Sequence, residues 1–237
     1  MEAVLKVVPA PDLDAGASAD GASLRISSVS KAWAARTVLD DVTLELPAGS
    51  LTWLAGANGV GKTTLLRIAA GLLAPDSGTT TFDGLHPRKQ RRAFQKRLGF
   101  LSAGDRGIYA RLTVYNHLRL WARLALLPAD EVDAAIERIV NLVGIEHLLP
   151  LRVDRMSMGQ RQRLRVALTF LHSPDLVLLD EPLSSLDESG AAVLRECIDE
   201  VRGRSGVVVW CSPGTDREYA PFSRHLWLQN GKLTELS

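Results

Sequence analysis

With 237 residues, the chain is long enough for one large α/β domain or two small ones. Its content of 46% hydrophobic and 23% charged residues is that of an ordinary globular protein. A formal net charge of +1 gives no overall field that would attract nucleic acid, and none is expected as a partner. No apolar run reaches the ~18–20 residues of a membrane span, and the N-terminus does not fit a signal peptide. The two cysteines, Cys197 and Cys211, fit reduced core residues, so we expect a cytosolic protein unless something else holds it at a membrane.

The start of the chain divides into a leader and a pair of strands. Residues 1–22 are predicted to be a flexible leader, because positions 9–22 are rich in Ala, Asp, Gly and Ser and have no hydrophobic period. The segments 24–26 and 42–46 alternate apolar and polar residues, which is typical of half-buried antiparallel strands. A small antiparallel sheet is therefore expected here.

A glycine-rich loop of the pattern G-x-x-x-x-G-K-T lies between an apolar strand, 51–55, and a helical segment, 65–70. Its glycines let backbone N–H groups turn toward phosphate oxygens, and the helix N-terminus adds a positive dipole end. In this pattern the lysine reaches the β- and γ-phosphates and the following threonine binds Mg²⁺. The sequence predicts a nucleotide phosphate site formed by Gly56, Asn58, Gly59, Gly61, Lys62, Thr63 and Thr64.

Trp33 lies between the two alternating segments and ahead of the phosphate loop. An exposed aromatic side chain in that position can stack on a nucleotide base whatever the base is. It can equally pack on the small sheet, and the sequence leaves both interpretations open.

A basic run occupies positions 86–97 and contains Arg88, Lys89, Arg91, Arg92, Lys96 and Arg97. Most runs of this kind are solvated helix faces. The alternative is a surface that meets anionic lipid headgroups or a membrane partner.

The middle of the chain predicts helices placed between two strands. Residues 98–101 form a predicted parallel strand, and 113–127 and 130–143 are predicted helices. The second helix has one apolar face, and Gly144 stands where a C-terminal cap is expected. This block is therefore predicted to be an inserted helical subdomain, at about 104–160.

Ser157 and Gln160 form a capping-box pattern at the start of a helix that is predicted to run to about residue 171. Four large aliphatic residues, 176–179, then predict a parallel strand covered on both faces, which ends in Asp180 and Glu181. Ligands lie at that end of the strands in open α/β sheets. We expect Asp180 to hold Mg²⁺ through water and Glu181 to polarise an attacking water.

The rest of the chain completes a main sheet. Residues 195–201 predict a helix, 207–211 a buried strand, and 225–228 with 232–236 a hairpin closed by an Asn230-Gly231 turn. The five histidines are interpreted as surface or capping residues.

Together these motifs resemble the ATP-binding subunit of an ABC transporter, over the whole chain after the leader. The signature motif at this distance ahead of the acidic strand end is specific, whereas the phosphate loop alone would indicate only an NTPase. The matching segments are Gly56–Thr64 for the Walker A loop, Met156–Gln160 for the signature loop, Leu176–Glu181 for Walker B with the catalytic glutamate, Ser185–Asp187 for the D-loop, and Trp33 for the base-stacking aromatic.

The resemblance implies an α/β fold of the P-loop NTPase class and ABC ATPase type over residues 23–237, with a mostly parallel core sheet, a small antiparallel β subdomain and the inserted helical subdomain. It implies ATP and Mg²⁺ as cofactors, with Lys62 and Glu181 catalytic and Thr63 and Asp180 binding the metal. It also implies a head-to-tail dimer, in which the signature helix of one subunit caps the γ-phosphate held by the other. Nucleotide-binding residues outside the phosphate loop would then be Trp33, Ser157, Gly159, Gln160 and Asp187.

Four positions depart from the family pattern. The usual glutamine is missing after 98–101, where Ser102-Ala103-Gly104-Asp105 follows, and Pro213 stands in place of the γ-phosphate histidine. Proline has no donor for that contact. In the signature loop, Met156 and Met158 replace the leading leucine and the first glycine. Because losing one donor to a phosphoryl group costs about 10²–10³ in rate, we expect ATP binding with slowed hydrolysis.

The leading functional interpretation is a subunit that energises export through a separately encoded transmembrane permease. It would lie peripherally on the inner face of the cell membrane and pair with a second ATPase subunit, as a homodimer or a heterodimer. One alternative is a non-transport ABC ATPase of DNA repair or chromosome organisation, and another is a regulatory ATP-binding module. The transported substrate is a property of the membrane subunit.

Overall fold

The computed structural model describes the backbone of Leu5–Val7 and residues 23–104, 107–214 and 216–236. Its strands are β1 (Leu5–Val7), β2 (Leu24–Trp33), β3 (Arg36–Leu46), β4 (Leu51–Ala55), β5 (Ser77–Phe82), β6 (Leu98–Leu101), β7 (Leu176–Asp180), β8 (Val207–Cys211), β9 (Arg224–Gln229) and β10 (Lys232–Leu236). Its α-helices are α1 (Lys62–Ala69), α2 (Arg91–Arg97), α3 (Val114–Leu124), α4 (Val132–Val143), α5 (Met158–Phe170) and α6 (Glu188–Gly203). Short 3₁₀ turns at Glu146–Leu148 and Val153–Arg155 connect α4 to α5.

The main sheet has the strand order β1-β10-β9-β4-β8-β7-β6. The pairs β9–β4, β4–β8, β8–β7 and β7–β6 are parallel, whereas β1–β10 and β10–β9 are antiparallel. Strands β4, β7 and β8 are buried at every position, as expected for parallel strands covered on both faces. The predicted α/β fold with a mostly parallel core sheet is confirmed.

A second sheet of three antiparallel strands, β3-β2-β5, covers one face of the main sheet. Its inward-facing side chains pack with those of α1 and with one face of β7, β8 and β9 in a single hydrophobic cluster. The other face of the main sheet packs against α3, α4, α5 and α6. The predicted antiparallel sheet is therefore present, and its strands are longer than the alternating segments indicated.

The helices of the middle segment begin and end at recognisable signals. Thr113 caps α3 by accepting a hydrogen bond from the backbone N–H of Asn116, and Gly144 ends α4 in the left-handed conformation at φ 68°. Both helices pack on α5, and α4 also packs on α6. The boundaries of a helical subdomain at 104–160 remain a prediction.

The leader prediction needs a correction at three residues. The backbone of Leu5–Val7 forms β1, which pairs with β10 and places Leu5 opposite Leu236. Backbone hydrogen bonds with a strand at the far end of the chain leave no signal in local composition, and for that reason the prediction missed them. The rest of the predicted leader, 1–4 and 8–22, lies outside the described residues.

The two cysteines are free and buried, as predicted. Burial raises the pKa of the Cys197 thiol to about 12 and raises that of Cys211 as well. Neither thiol is therefore a nucleophile at neutral pH.

His117 is fully buried, so its interpretation as a surface or capping residue was wrong. The Nε2 atom accepts a hydrogen bond of 2.7 Å from the backbone N–H of Tyr109, and Nδ1 lies 3.2 Å from the carbonyl oxygen of Thr113. The ring is therefore neutral, with its proton on Nδ1. Its neighbours Tyr109 and Trp121 stack at ring distances of 5.9 and 5.7 Å.

Protein stability should fall as the pH drops below neutrality, partly because of His117. Burial lowers the pKa of His117 in the folded protein, so the unfolded chain binds a proton near pH 6.5 while the folded one does not. The stabilisation is complete above that pH and is lost as the pH falls from 6.5 toward the lowered value. Thermal midpoints at pH 7.5 and 5.5 should differ less in His117→Gln than in the wild type. Equal differences would contradict this account. His172 and His225, whose pKa values burial also lowers, remain in both proteins.

Candidate functional site

The phosphate loop leaves the main sheet at the same edge as the two acidic residues. Strand β8 lies between β4 and β7, and Cys211 pairs with Leu54 on one side and with Asp180 on the other. The loop that follows β4 and the carboxylates that end β7 therefore meet, although they are far apart in the chain. Ligand sites in open α/β sheets form at this carboxyl edge.

The phosphate loop has the conformation that its glycines permit. Gly61, at φ 120°, caps the start of α1, and a Cβ atom there would lie 2.6 Å from Cγ1 of Val38. Lys62 is 6% exposed, and its ammonium group donates to the carbonyl oxygens of Gly56 at 2.7 Å and Ala57 at 3.0 Å. No carboxylate neutralises it among the described residues. This buried positive charge is available to an anion.

Thr63 and Asp180 form a pair of hard oxygen donors. The hydroxyl of Thr63 donates a 2.8 Å hydrogen bond to Oδ2 of Asp180, which is 2% exposed. Among the described residues, no group of three or more His, Cys, Asp or Glu side chains could hold a metal ion by itself. Mg²⁺ is typically bound by one or two protein oxygens together with phosphates and water, and the Thr63–Asp180 pair fits that role.

Glu181 stands directly after Asp180 in a conformation unusual for its residue type. Its φ is 50°, in the left-handed region, and its backbone N–H donates to the carbonyl oxygen of Cys211 at 2.8 Å. The residue is partly exposed and lines the same recess as the phosphate loop, a cavity of about 390 Å³. A carboxylate at this place can accept a proton from a water in the recess.

The wall of the recess opposite Glu181 contains two side chains from the small sheet. Trp33 is 52% exposed, and the Lys31 ammonium lies 5.0 Å from its ring centre. The guanidinium of Arg36 donates a 3.0 Å hydrogen bond to the carbonyl oxygen of Gly59. Arg36 was missed because it begins β3 without a motif of its own. It adds a second positive charge to the recess and restrains the tip of the phosphate loop.

Other predicted site residues line a different recess. Ser157, Gly159, Gln160 and Asp187 surround a cavity of about 240 Å³ that contains no residue of the phosphate loop. The capping box is present, with the Ser157 hydroxyl accepting from the Gln160 backbone N–H at 3.2 Å and Oε1 of Gln160 accepting from the Ser157 N–H at 2.9 Å. Within one chain, the predicted nucleotide contacts thus fall into two separate groups.

Asp187 has a structural role that the sequence motif did not indicate. It is the N-cap of α6, and its Oδ1 accepts a 2.8 Å hydrogen bond from the Gly190 N–H. This bond, followed by the contact with Arg163 at 3.0 Å, lowers the pKa of the Asp187 carboxyl. The helix therefore begins at Glu188, well before the predicted 195–201.

Ser102, where the family glutamine is missing, is tied to the loop after Glu181 by two buried side chains. Arg165, 6% exposed, donates to the carbonyl oxygen of Ser102 and, at 2.6 Å, to Oε1 of Gln162. Gln162, 3% exposed, donates at 3.0 Å to the carbonyl oxygen of Pro182. The network therefore joins the end of β6 to the residue that follows Glu181. Asp105, the last residue of the segment that stands in place of the family glutamine, lies outside the described part of the chain.

Replacing Arg165 by alanine should destabilise the protein by about 2–3 kcal/mol, because Gln162 and the Ser102 carbonyl would lose a buried partner. Chemical denaturation of the variant and the wild type measures the difference. Arg123→Ala, which changes an exposed arginine of α3, is the matched control and should stay within ~0.5 kcal/mol. Equal losses in the two variants would show that the network contributes nothing.

Where the family pattern has a histidine that contacts the γ-phosphate, this chain has Ser212 and Pro213 after β8. Ser212 is buried, and its hydroxyl accepts a 2.8 Å hydrogen bond from the indole N–H of Trp53. Pro213 is exposed and has no donor to offer. Neither side chain replaces a histidine.

The sequence profile described as ABC transporter matches residues 39–184, more than half of the chain. An ABC transporter ATP-binding protein, NatA of Bacillus subtilis, is 35% identical over 172 residues, which cover 73% of this chain and 70% of NatA. Phosphonates import ATP-binding protein PhnC 1 of Natronomonas pharaonis is 37% identical over 215 residues, 89% of this chain and 91% of its own. Lantibiotic transport ATP-binding protein SrtF of Streptococcus pyogenes is 30% identical over 186 residues, 78% of both chains.

A solved structure described as the ATP binding subunit of an ABC transporter superposes with a TM-score of 0.79 at 26% identity, covering 88% of this chain and 86% of the other. The structure of cbiO1 from Clostridium perfringens has a TM-score of 0.75 at 23% identity over 91% of this chain and 89% of its own, and supports the fold. The phosphate loop and acidic strand end seen above belong to this fold. The chain is therefore an ATP-binding protein of the ABC transporter family.

Proposed function

We propose that the chain binds Mg-ATP in the recess of Lys62, hydrolyses it, and energises export through a separately encoded transmembrane permease. The observation that carries this proposal is the meeting of Lys62, the Thr63–Asp180 pair and Glu181 at one sheet edge, with a 2.8 Å bond between Thr63 and Asp180. A lantibiotic transport protein and a phosphonates import protein both match the chain, so the export direction is the finer part of this proposal.

Each residue has a role in the proposed reaction. The Lys62 ammonium neutralises the β- and γ-phosphates, and Trp33 stacks on the base. Thr63 and Asp180 would hold Mg²⁺, which supplies further charge neutralisation on the transferred phosphoryl group. Glu181 orients a water in line with that group and takes its proton. Hydrolysis is slowed because neither Ser102 nor Pro213 provides the donor that their positions normally offer.

The two separate recesses support a site completed by a second subunit. Ser157, Gly159 and Gln160 open helix α5, whose N-terminal N–H groups and dipole favour an anion. They do not reach the phosphate loop of their own chain, so the γ-phosphate they would cap belongs to the partner. Met158, in the place of the first signature glycine, is 62% exposed at the start of this helix, where a partner subunit would contact it.

Two findings bear on location and on the alternative function. Within the described ranges, no helix combines the length and apolar character that crossing a membrane requires. A cytoplasmic place at the inner face of the membrane, through the permease, follows from the proposed role. ABC ATPases of DNA repair carry a long coiled-coil insertion, whereas the described helices between the two Walker motifs span 7 to 13 residues.

The test is association driven by nucleotide. Mg-ATP should double the molar mass of the purified chain in light scattering, or join it to a sibling ATPase if one is encoded beside it. Ser157→Arg should abolish association while Mg-ATP still binds, because the large cation blocks the helix N-terminus. Glu196→Arg, an exposed change on α6, should leave association intact. The proposal is contradicted if the wild type binds no Mg-ATP, or if Ser157→Arg associates as strongly as the wild type.

A further inference from the structure

Five exposed cations occupy one side of the segment that leads into β6. They are Arg88, Lys89, Arg91, Arg92 and Lys96, and we call them the α2 basic surface. None of the five contacts a carboxylate among the described residues. Positions 84–97 contain no acidic residue, while the formal charge of the whole chain is only +1. The positive charge is therefore concentrated here, and no carboxylate of the described residues neutralises it.

Two of these cations, Arg91 and Arg92, are unfavourably placed in the helix that carries them, whereas Lys96 lies in its last turn, where a cation is favourable. Arg91 and Arg92 occupy the first turn of α2, where the helix dipole disfavours positive charge and where no acidic residue is present. Arg92 and Lys96 are four residues apart, so that like charges adjoin on the helix surface. Helices normally place such residues at the opposite end. An anion bound from outside the protein would offset the repulsion among these cations.

The neighbouring Arg97, in contrast, is a cation that stabilises the fold through contacts within the protein. Its guanidinium donates to Asp83 at 2.5 Å and to Asp175 at 2.7 Å, and it lies 4.8 Å from the ring centre of Phe82. Arg97 thus uses the nearby carboxylates, and its pKa is raised by them against the opposing effect of burial. The five residues of the α2 basic surface have no comparable partners.

The surface is held in place and borders an apolar groove. Phe94, 1% exposed, anchors α2 to the core. Gln95 of the same helix lines a groove of about 560 Å³. Leu72 and Leu124, 61% and 60% exposed, line the same groove. Positive charge and exposed apolar surface therefore lie side by side, as in proteins that contact the membrane interface.

We propose that the α2 basic surface binds the anionic phospholipid headgroups of the membrane at which this ATPase works, which rests on the membrane location in the proposed function. Lipid fits better than a protein or an RNA, because the five side chains are exposed and are not held in a fixed geometry by neighbours. A bilayer presents many mobile phosphates and needs no preformed acceptor. Clusters of four to eight Lys or Arg are the usual means of such binding.

The test is cosedimentation of the full chain with vesicles in 0.1 M NaCl. Vesicles of 70% phosphatidylcholine and 30% phosphatidylglycerol should bind the chain, and vesicles of phosphatidylcholine alone should not. Replacing Arg88, Lys89, Arg91, Arg92 and Lys96 together by glutamine should weaken binding at least tenfold. Raising NaCl to 1 M should release the wild type, because the screening length falls to about 3 Å.

The control removes the same charge elsewhere, at five exposed arginines that form no ion pair with the described part of the chain: Arg111, Arg123, Arg155, Arg204 and Arg217. All five are changed to glutamine, and this variant should keep binding within about threefold. Equal loss in both variants, equal binding to neutral vesicles, or tighter binding to an RNA oligonucleotide than to anionic vesicles would each overturn the proposal. Affinity for Mg-ATP, measured on the same samples, tests the proposed function separately and should be unchanged in both variants.

Discussion

Glu181→Gln should leave Mg-ATP binding intact and lower the hydrolysis rate by about 10²–10⁴-fold. The amide has the size of the carboxylate but cannot accept a proton from the attacking water. The backbone should keep its conformation, because the bond from the residue 181 N–H to the Cys211 carbonyl does not involve the side chain. Steady-state phosphate release and binding of a fluorescent ATP analogue measure the two quantities.

Glu188→Gln is the matched control, since it removes an exposed carboxylate from the first turn of α6. It should change turnover by less than about twofold. Equal turnover in the wild type and Glu181→Gln would mean that Glu181 is not catalytic. Measurable binding without hydrolysis in either protein would instead favour the regulatory ATP-binding module. A wild-type rate equal to that of ordinary transporter ATPases would refute the slowed hydrolysis.

Lys62→Ala should weaken Mg-ATP binding by about tenfold to a hundredfold, the equivalent of one hydrogen bond from a charged group. Among the residues that the structure describes, the ammonium group is bound only by the carbonyl oxygens of Gly56 and Ala57. Phosphate oxygens would be stronger acceptors, so binding energy is gained when the ammonium turns toward them. Isothermal titration with Mg-ATP gives the affinity of each protein.

Lys232→Ala controls for the loss of one positive charge, because Lys232 is exposed at the far hairpin and pairs with Asp40 at 2.9 Å. Its affinity for Mg-ATP should equal that of the wild type. Unchanged affinity in Lys62→Ala would mean that Lys62 does not bind the phosphates. The transporter mechanism proposed above would then lose its basis.

Elements with a strong local pattern were predicted well. The strand before the phosphate loop, the strand that ends in Asp180 and the Asn230-Gly231 hairpin all occur where the sequence placed them. Each is determined by residues next to it in the chain: a run of aliphatic residues, or a turn whose φ angles of 49° and 76° suit Asn and Gly. Helix α6 was placed too short, because Asp187 was interpreted only as a site residue and not as a cap.

Features that depend on distant contacts were not predicted. His117 lies three residues after Val114 and next to Leu118, on the buried side of α3, but a polar residue there was assumed to face solvent. The contact between Arg36 and Gly59 joins the start of β3 in the small sheet to the phosphate loop. Arg165 belongs to a helix rich in arginine and glutamine, and the packing of α5 buries it against the end of β6.

The sequence by itself determined which residues can do chemistry, since the phosphate loop, the paired acids and the capping box are short motifs whose spacing carries their meaning. Only the tertiary structure decided which of them meet. Thr63 and Asp180 are 117 residues apart and come within 2.8 Å because the crossovers bring parallel strands to one carboxyl edge. The same packing keeps the Ser157 helix away from Lys62, in a second recess. Burial of both sheet faces sets this arrangement, and no local pattern encodes it.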